Sequence, residues 1–183
     1  MPSATRFTTR YAPSEDRISL ALELSEEEVQ VLWLTRRLLN RMLPHLIQVL
    51  DKRASEVSVD TASASGKPVR AQKEAVQRFS QEAAVGAIER QPGVGAGGQR
   101  PKDNVAYLVT SVDIHTGPKS LSLDFKCGEE TLHSLPFGEN ALRQWLSILH
   151  SQYRAGDWEE AFWPGWIGPD VRSDGDREGL RLN

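Results

Sequence analysis

The chain holds one cysteine, Cys127, in 183 residues. No intrachain disulfide can form, which suits a reducing compartment and leaves apolar burial to hold the fold. No apolar run approaches the roughly 18 residues of a bilayer span. The opening "MPSATRFTTRY" carries arginines but lacks the apolar stretch of a secretory signal. The expectation is a cytoplasmic protein that does not enter a membrane. The net charge of −3 gives no global pull toward nucleic acid or an anionic surface.

Chemistry-bearing motifs are also scarce. The glycine-rich "GVGAGG" (93–98) is followed by Gln99 and Arg100, not by the Gly-Lys-Ser/Thr that reaches phosphate and magnesium. His45, His115, His133 and His150 show no metal-ligand spacing, and Cys127 stands beside none of them. Asp16, Glu26, Glu27, Glu28, Glu129 and Glu130 fall in expected turns, where carboxylates are ordinary. No nucleophile elbow is present. Neither a cofactor nor a metal is expected, and a non-enzymatic role is favoured over catalysis.

What is present is alternation. "NVAYLVTSVDI" (104–114), "SLSLDFKC" (120–127) and "TLHSLPF" (131–137) read as strands separated by "TGPK" and "GEE" turns. Leu121, Leu123, Phe125 and Cys127 share one face, so Cys127 is expected in the core. "ENALRQWLSILHSQYRAG" follows as a helix with Leu142, Trp145, Leu146, Leu149 and Tyr153 on its apolar side. Gly156 stands where a left-handed C-cap belongs. The unit is β-β-β-α.

The first part of the chain repeats it. Laying Ile18 on Leu121, an offset of 103 residues, aligns the chain without a gap to Leu50 on Tyr153. "RFTTRYA", "RISLALEL" and "VQVLWL" become strands joined by "PSED" and "SEEE". Thr35 caps a helix expected to run to about Arg53 with Pro44 inside it. Ser25 with Glu28 also spells a capping box, so a helix from Ser25 is the rival reading. The fold class predicted is α+β: two β-β-β-α repeats packed as a pseudo-twofold antiparallel sheet and helix body with a long flexible linker.

The expected domains are a first repeat (1–53), a mobile linker (54–103), a second repeat (104–167) and a disordered tail (168–183). The small polar run 54–68 and the Gly/Pro-rich run 91–103 carry too little apolar surface to order themselves. Between them, 69–90 is expected as a thin helix with Val69, Val76, Phe79, Ala83 and Ala87 on its apolar side.

Two groups are candidate protein-interaction residues. Leu39, Leu43, Leu46 and Leu50 belong to a helix apolar on more than one face. Trp158, Phe162, Trp163 and Trp166 crowd "DWEEAFWPGWIG" and either close the core or form an aromatic hook. Arg36, Arg37 and Arg41 form a basic cluster that is the candidate anion or nucleic-acid site.

The two-repeat architecture resembles that of the Pur-type and Whirly single-strand nucleic-acid binders, which join two repeats of four strands and a helix. This chain shows three strands per repeat and no motif of either family, so the resemblance is one of architecture alone. It implies single-strand binding through Arg36, Arg37, Arg41 and an aromatic sheet face. The preferred expectation is an accessory or assembly protein acting through protein contacts or self-association. An enzyme with a site in the seam between the repeats is the third reading.

Overall fold

Among the described residues, alternating apolar residues and tight turns produce seven strands, and three helices follow from the leucine- and alanine-rich runs. The computed structural model describes residues 6–25, 28–65, 69–89, 103–118 and 120–168. Strands β1 (Arg6–Ala12), β2 (Arg17–Glu23) and β3 (Glu28–Thr35) lead into helix α1 (Arg36–Ser65). Helix α2 (Val69–Glu89) follows. Then come β4 (Asp103–Leu108), β5 (Ser111–Thr116), β6 (Ser120–Cys127), β7 (Glu130–Gly138) and helix α3 (Glu139–Ala155).

The duplication is visible in the element boundaries. Shifted by the same 103 residues, β2, β3 and the start of α1 fall on β6, β7 and the start of α3. The strand reading of Glu28–Thr35 holds over the helical rival. The Ser25 hydroxyl does accept the Glu28 N–H (3.2 Å), the bond a capping box would make, but it does so within the β2–β3 hairpin. Thr35 caps α1 by accepting the Leu38 N–H at 3.2 Å, and Pro44 lies within α1.

The stretch expected as one strand over 104–114 divides between two sheets. β4 pairs parallel with β3, giving a four-stranded sheet of order β1-β2-β3-β4. β5 opens a three-stranded antiparallel sheet, β5-β6-β7. The backbone carries the hydrogen bonding across: the Val109 N–H donates to Trp33 O (3.0 Å) and the Thr110 N–H to Lys126 O (2.8 Å). His115, just outside the strand expected over 104–114, therefore lies on β5.

One core joins the repeats. Ile18, Leu20, Leu22, Leu32 and Leu34 from the first sheet meet Leu121, Leu123, Phe125, Leu135 and Phe137 from the second. The helices cross over: α3 packs on β1 and α1 on β5, each on the first strand of the other repeat. Trp145 on α3 is the tightest link. Its ring stacks on Phe137 at 5.0 Å and meets Phe7 and Phe125 edge-on, while its Nε1–H donates to Thr9 Oγ1 (3.0 Å).

Three expectations need correction. First, 54–65 is not linker. α1 continues to Ser65, with Ala54 buried and Arg53 donating to the Gly117 and Ser120 carbonyls (3.0 and 3.1 Å). Polarity does not break a helix; glycine and proline do, and the first after Arg53 are Gly66 and Pro68. Residues 66–68 and 90–102 of the expected linker, and 169–183 of the expected tail, lie outside the described residues.

Second, Cys127 is exposed. It is the last residue of β6, beyond the buried Phe125 and next to the turn at Gly128, so its inward parity meets no covering element; the β-bulge opposite Phe125 and Lys126 puts its extra residue, Leu132, on β7. Third, Gly156 is not the left-handed residue (φ −96°); Asp157 is (φ 52°). Gly156 is instead a close approach, because a Cβ there would lie 2.8 Å from the Tyr11 ring.

α2 reverses its expected orientation. Phe79, Ala83 and Ala87 of the predicted apolar stripe face outward, and Gln77, Gln81 and Ala84 are buried against α1 and α3. The glutamines make directed bonds. Gln77 donates to Asp51 (2.7 Å) and accepts from the buried Arg143 (2.7 Å), and Gln81 donates to the Arg143 carbonyl (3.1 Å). Gln144 on α3 donates in return to Ala84 O (3.0 Å). Such contacts set the rotation of a helix more narrowly than apolar burial does.

Candidate functional site

The proposed interaction residues of α1 are not on a surface. Leu39, Leu43, Leu46 and Leu50 are all fully buried, because α1 lies between the sheets and α2. The seam between the repeats is filled by these leucines and by aromatic rings. A polar cavity of about 400 Å³ lies at the rim of that seam, where Asp51 of α1, Lys73, Gln77 and Arg78 of α2 and Trp166 after α3 meet.

The aromatic segment folds back over the body. Trp158 is buried, meeting Tyr153 and Tyr11 edge-on at 5.1 and 5.5 Å. Phe162 and Trp163 are half-buried against Tyr153, and Trp163 also meets His150. Trp166 lies 5.4 Å from the Arg143 guanidinium, with Ile167 buried beside it. These residues close the core rather than reach outward. Burial lowers the pKa of His150 and raises that of Tyr153.

A polar network locks this segment down. Asp16 Oδ1 accepts from Tyr11 O–H (2.8 Å) and Trp158 Nε1–H (2.9 Å). Glu160 accepts from Arg36 (2.8 and 3.0 Å) and Asn40 (2.6 Å), and Tyr153 O–H donates to Asn40 (2.7 Å). Arg36 is thus committed to Glu160 and lies over Trp158. Arg37 and Arg41 stay exposed. Arg41 sits beside a groove of about 220 Å³ between α1 and β5, lined by Met42, His45 and Val112. Met42 holds the place that Trp145 fills in the other repeat, and the smaller side chain leaves the groove. The three arginines therefore do not form one site.

The network titrates. The Tyr11 and Trp158 bonds hold the Asp16 carboxyl below its ordinary value, and Arg36 and then Asn40 do the same for Glu160. A carboxyl depressed in the folded state stabilises it fully above the ordinary carboxylate pKa. That stabilisation is lost as pH falls through the depressed value. Acidification below about pH 4 is expected to change the tryptophan fluorescence of this segment before the fold is lost. Glu160→Gln should remove part of that pH dependence; an unchanged acid transition would show that the network does not hold the segment.

The surface that remains is the outward face of the four-stranded sheet. Cross-strand register places Arg10, Ser19, Trp33 and Leu108 in one row, with Thr8, Ala21, Val31 and Ala106 in the next. Arg6 and Arg17 flank these rows, and Val29 extends the apolar strip. Val29, Val31 and Trp33 are half-buried and Leu108 is 41% exposed. None of the four belongs to the core or packs against it among the described residues.

The matching face of the second sheet is polar and internally paired: Lys126 with Asp113, and Asp124 with His115 (3.0 Å) and Ser134. Offset by 103 residues, Trp33 corresponds to Pro136, Val31 to Ser134 and Arg10 to Asp113. The two repeats thus differ most in what their sheets show to the outside. Sequence reasoning passed over Trp33, although a signal existed. "VQVLWLT" is apolar at both parities, and a strand apolar on both faces is one that something covers on both faces.

No protein-family model, no curated protein and no solved structure matches the chain. Among the described residues, no three His, Cys, Asp or Glu side chains gather as a metal site, and no helix is long and apolar enough to cross a membrane.

Proposed function

We infer that this protein is a binding module that acts through contacts with another protein, using the outward face of its four-stranded sheet. The observation that carries this reading is the row Arg10–Ser19–Trp33–Leu108 over the apolar strip Val29, Val31 and Ala106. Tryptophan and arginine are the residues over-represented where binding energy concentrates. An apolar strip that serves no core and is absent from the sister sheet is costly to leave in water.

Trp33→Glu is the test. Trp33 lies outside the core, so the variant should melt close to the wild type. A partner captured by the wild-type chain should bind the variant more than about 30-fold less tightly, the loss typical of a central aromatic anchor. Equal capture by both chains would end the reading.

Arg6, Arg10 and Arg17 beside Trp33 support single-strand nucleic-acid binding as the second reading, since one base can stack on an aromatic ring while arginines hold phosphate. The face offers one aromatic ring, where a strand of several nucleotides uses several, so protein contact is preferred. A labelled oligonucleotide bound at low salt, released by salt and lost in Trp33→Glu would reverse that order.

A further inference from the structure

α2 turns its glutamines inward and leaves Phe79 in water, 73% exposed. This is the reverse of what apolar burial alone favours, so the outward face has its own use. On that face every fourth residue forms one ridge: Ala71, Ala75, Phe79, Ala83 and Ala87, all exposed. The ridge reads the same in both directions about Phe79. A shallow groove lies alongside it, lined by Ala71, Glu74, Ala75, Arg78, Phe79 and Glu82.

We propose that α2 is a self-association surface and that its occupant is α2 of a second copy, packed antiparallel about a twofold axis at Phe79. Three features of the ridge select a second copy. A twofold interface must be self-complementary, and this ridge is: Ala75 of one copy faces Ala83 of the other, and Ala71 faces Ala87. A helical side chain leans over the turn before it. Each Phe79 ring therefore lies over its own Ala75 and against Ala83 of the second copy, and the two rings pass side by side.

The third feature is charge. Arg78 and Glu82 are exposed on the flank of the ridge, and neither forms an ion pair within the described residues. About the same axis Arg78 of each copy meets Glu82 of the other, so the pair forms twice. The contact runs for about 24 Å of helix, at the small end of specific interfaces, so a weak dimer that grows with concentration is expected.

The test is sedimentation or light scattering of the full chain over a concentration series. The wild type should shift from monomer toward twice the monomer mass. Phe79→Asp should stay monomeric and Arg78→Glu should dimerise at least tenfold more weakly. Arg78→Glu combined with Glu82→Arg should recover the dimer, which a merely damaged fold would not do. Phe79 is solvated in the monomer, so these variants should melt like the wild type.

In a Cys127→Ser background, Ala75→Cys mixed with Ala83→Cys should cross-link, whereas Ala83→Cys alone should not. A chain monomeric to on the order of 1 mM would overturn the proposal, whatever else covers the ridge. So would a dimer that survives Phe79→Asp, or one lost only on Trp33→Glu. The sheet-face reading stands or falls separately, because Phe79→Asp leaves Trp33 intact.

Discussion

Trp145→Ala is expected to lower the stability of the chain by roughly 3–5 kcal/mol, the cost of deleting a buried tryptophan. Trp145 is 1% exposed and ties three strands to α3. Phe7 belongs to the first repeat, and Phe125 and Phe137 to the second, and all three rings meet the indole. Removing it opens a cavity at the junction of the repeats and leaves the buried Thr9 hydroxyl without its donor. Trp145→Phe keeps most of the ring contact and loses the hydrogen bond, so about 1–2 kcal/mol is expected. Urea unfolding measures both. A loss under about 1 kcal/mol for the alanine variant, well below the usual range, would mean that the repeats are joined elsewhere.

Leu43→Ala should cost about 2–5 kcal/mol and leave the oligomeric state unchanged where the variant is folded. Leu43 is fully buried, with Leu39, Leu46 and Leu50 along the same side of α1. An interface leucine would behave in the opposite way, weakening association with little effect on the monomer. The pair Leu43→Ala and Phe79→Asp therefore separates the two helices by measurement: the first variant should melt early and self-associate normally, the second should melt normally and fail to self-associate. A Leu43→Ala chain as stable as the wild type would contradict the position of α1 between the sheets and α2.

Much of the architecture was legible in the chain because it depends on local periodicity. The two-residue alternation in "RISLALE" and "SLSLDFK", the turns beside them and the apolar side of "ENALRQWLSILHSQY" each impose one structure on a short window. The repeat at 103 residues was legible for the same reason, since it compares one local pattern with another. The aromatic segment 158–166 was legible as a structure that either closes the core or projects. The choice between these required Tyr11, Asp16 and Arg36, which lie more than a hundred residues away.

Other features had no local signature. The path of the chain from β4 into β5 depends on β3 and β6 offering hydrogen-bond partners on either side of Val109. The rotation of α2 was set by Asp51 and Arg143, which bond Gln77 and so outweigh an apolar stripe of one phenylalanine and several small residues. The outward face with Trp33 exists only once register aligns β1, β2, β3 and β4. The sequence by itself determined most of the elements, their order and their repetition, because these arise from contacts between near neighbours, but not the division of 104–114 into β4 and β5 or the length of α1. The tertiary structure decided which apolar residues became core and which stayed on the surface, because burial is settled by what distant segments bring to each face.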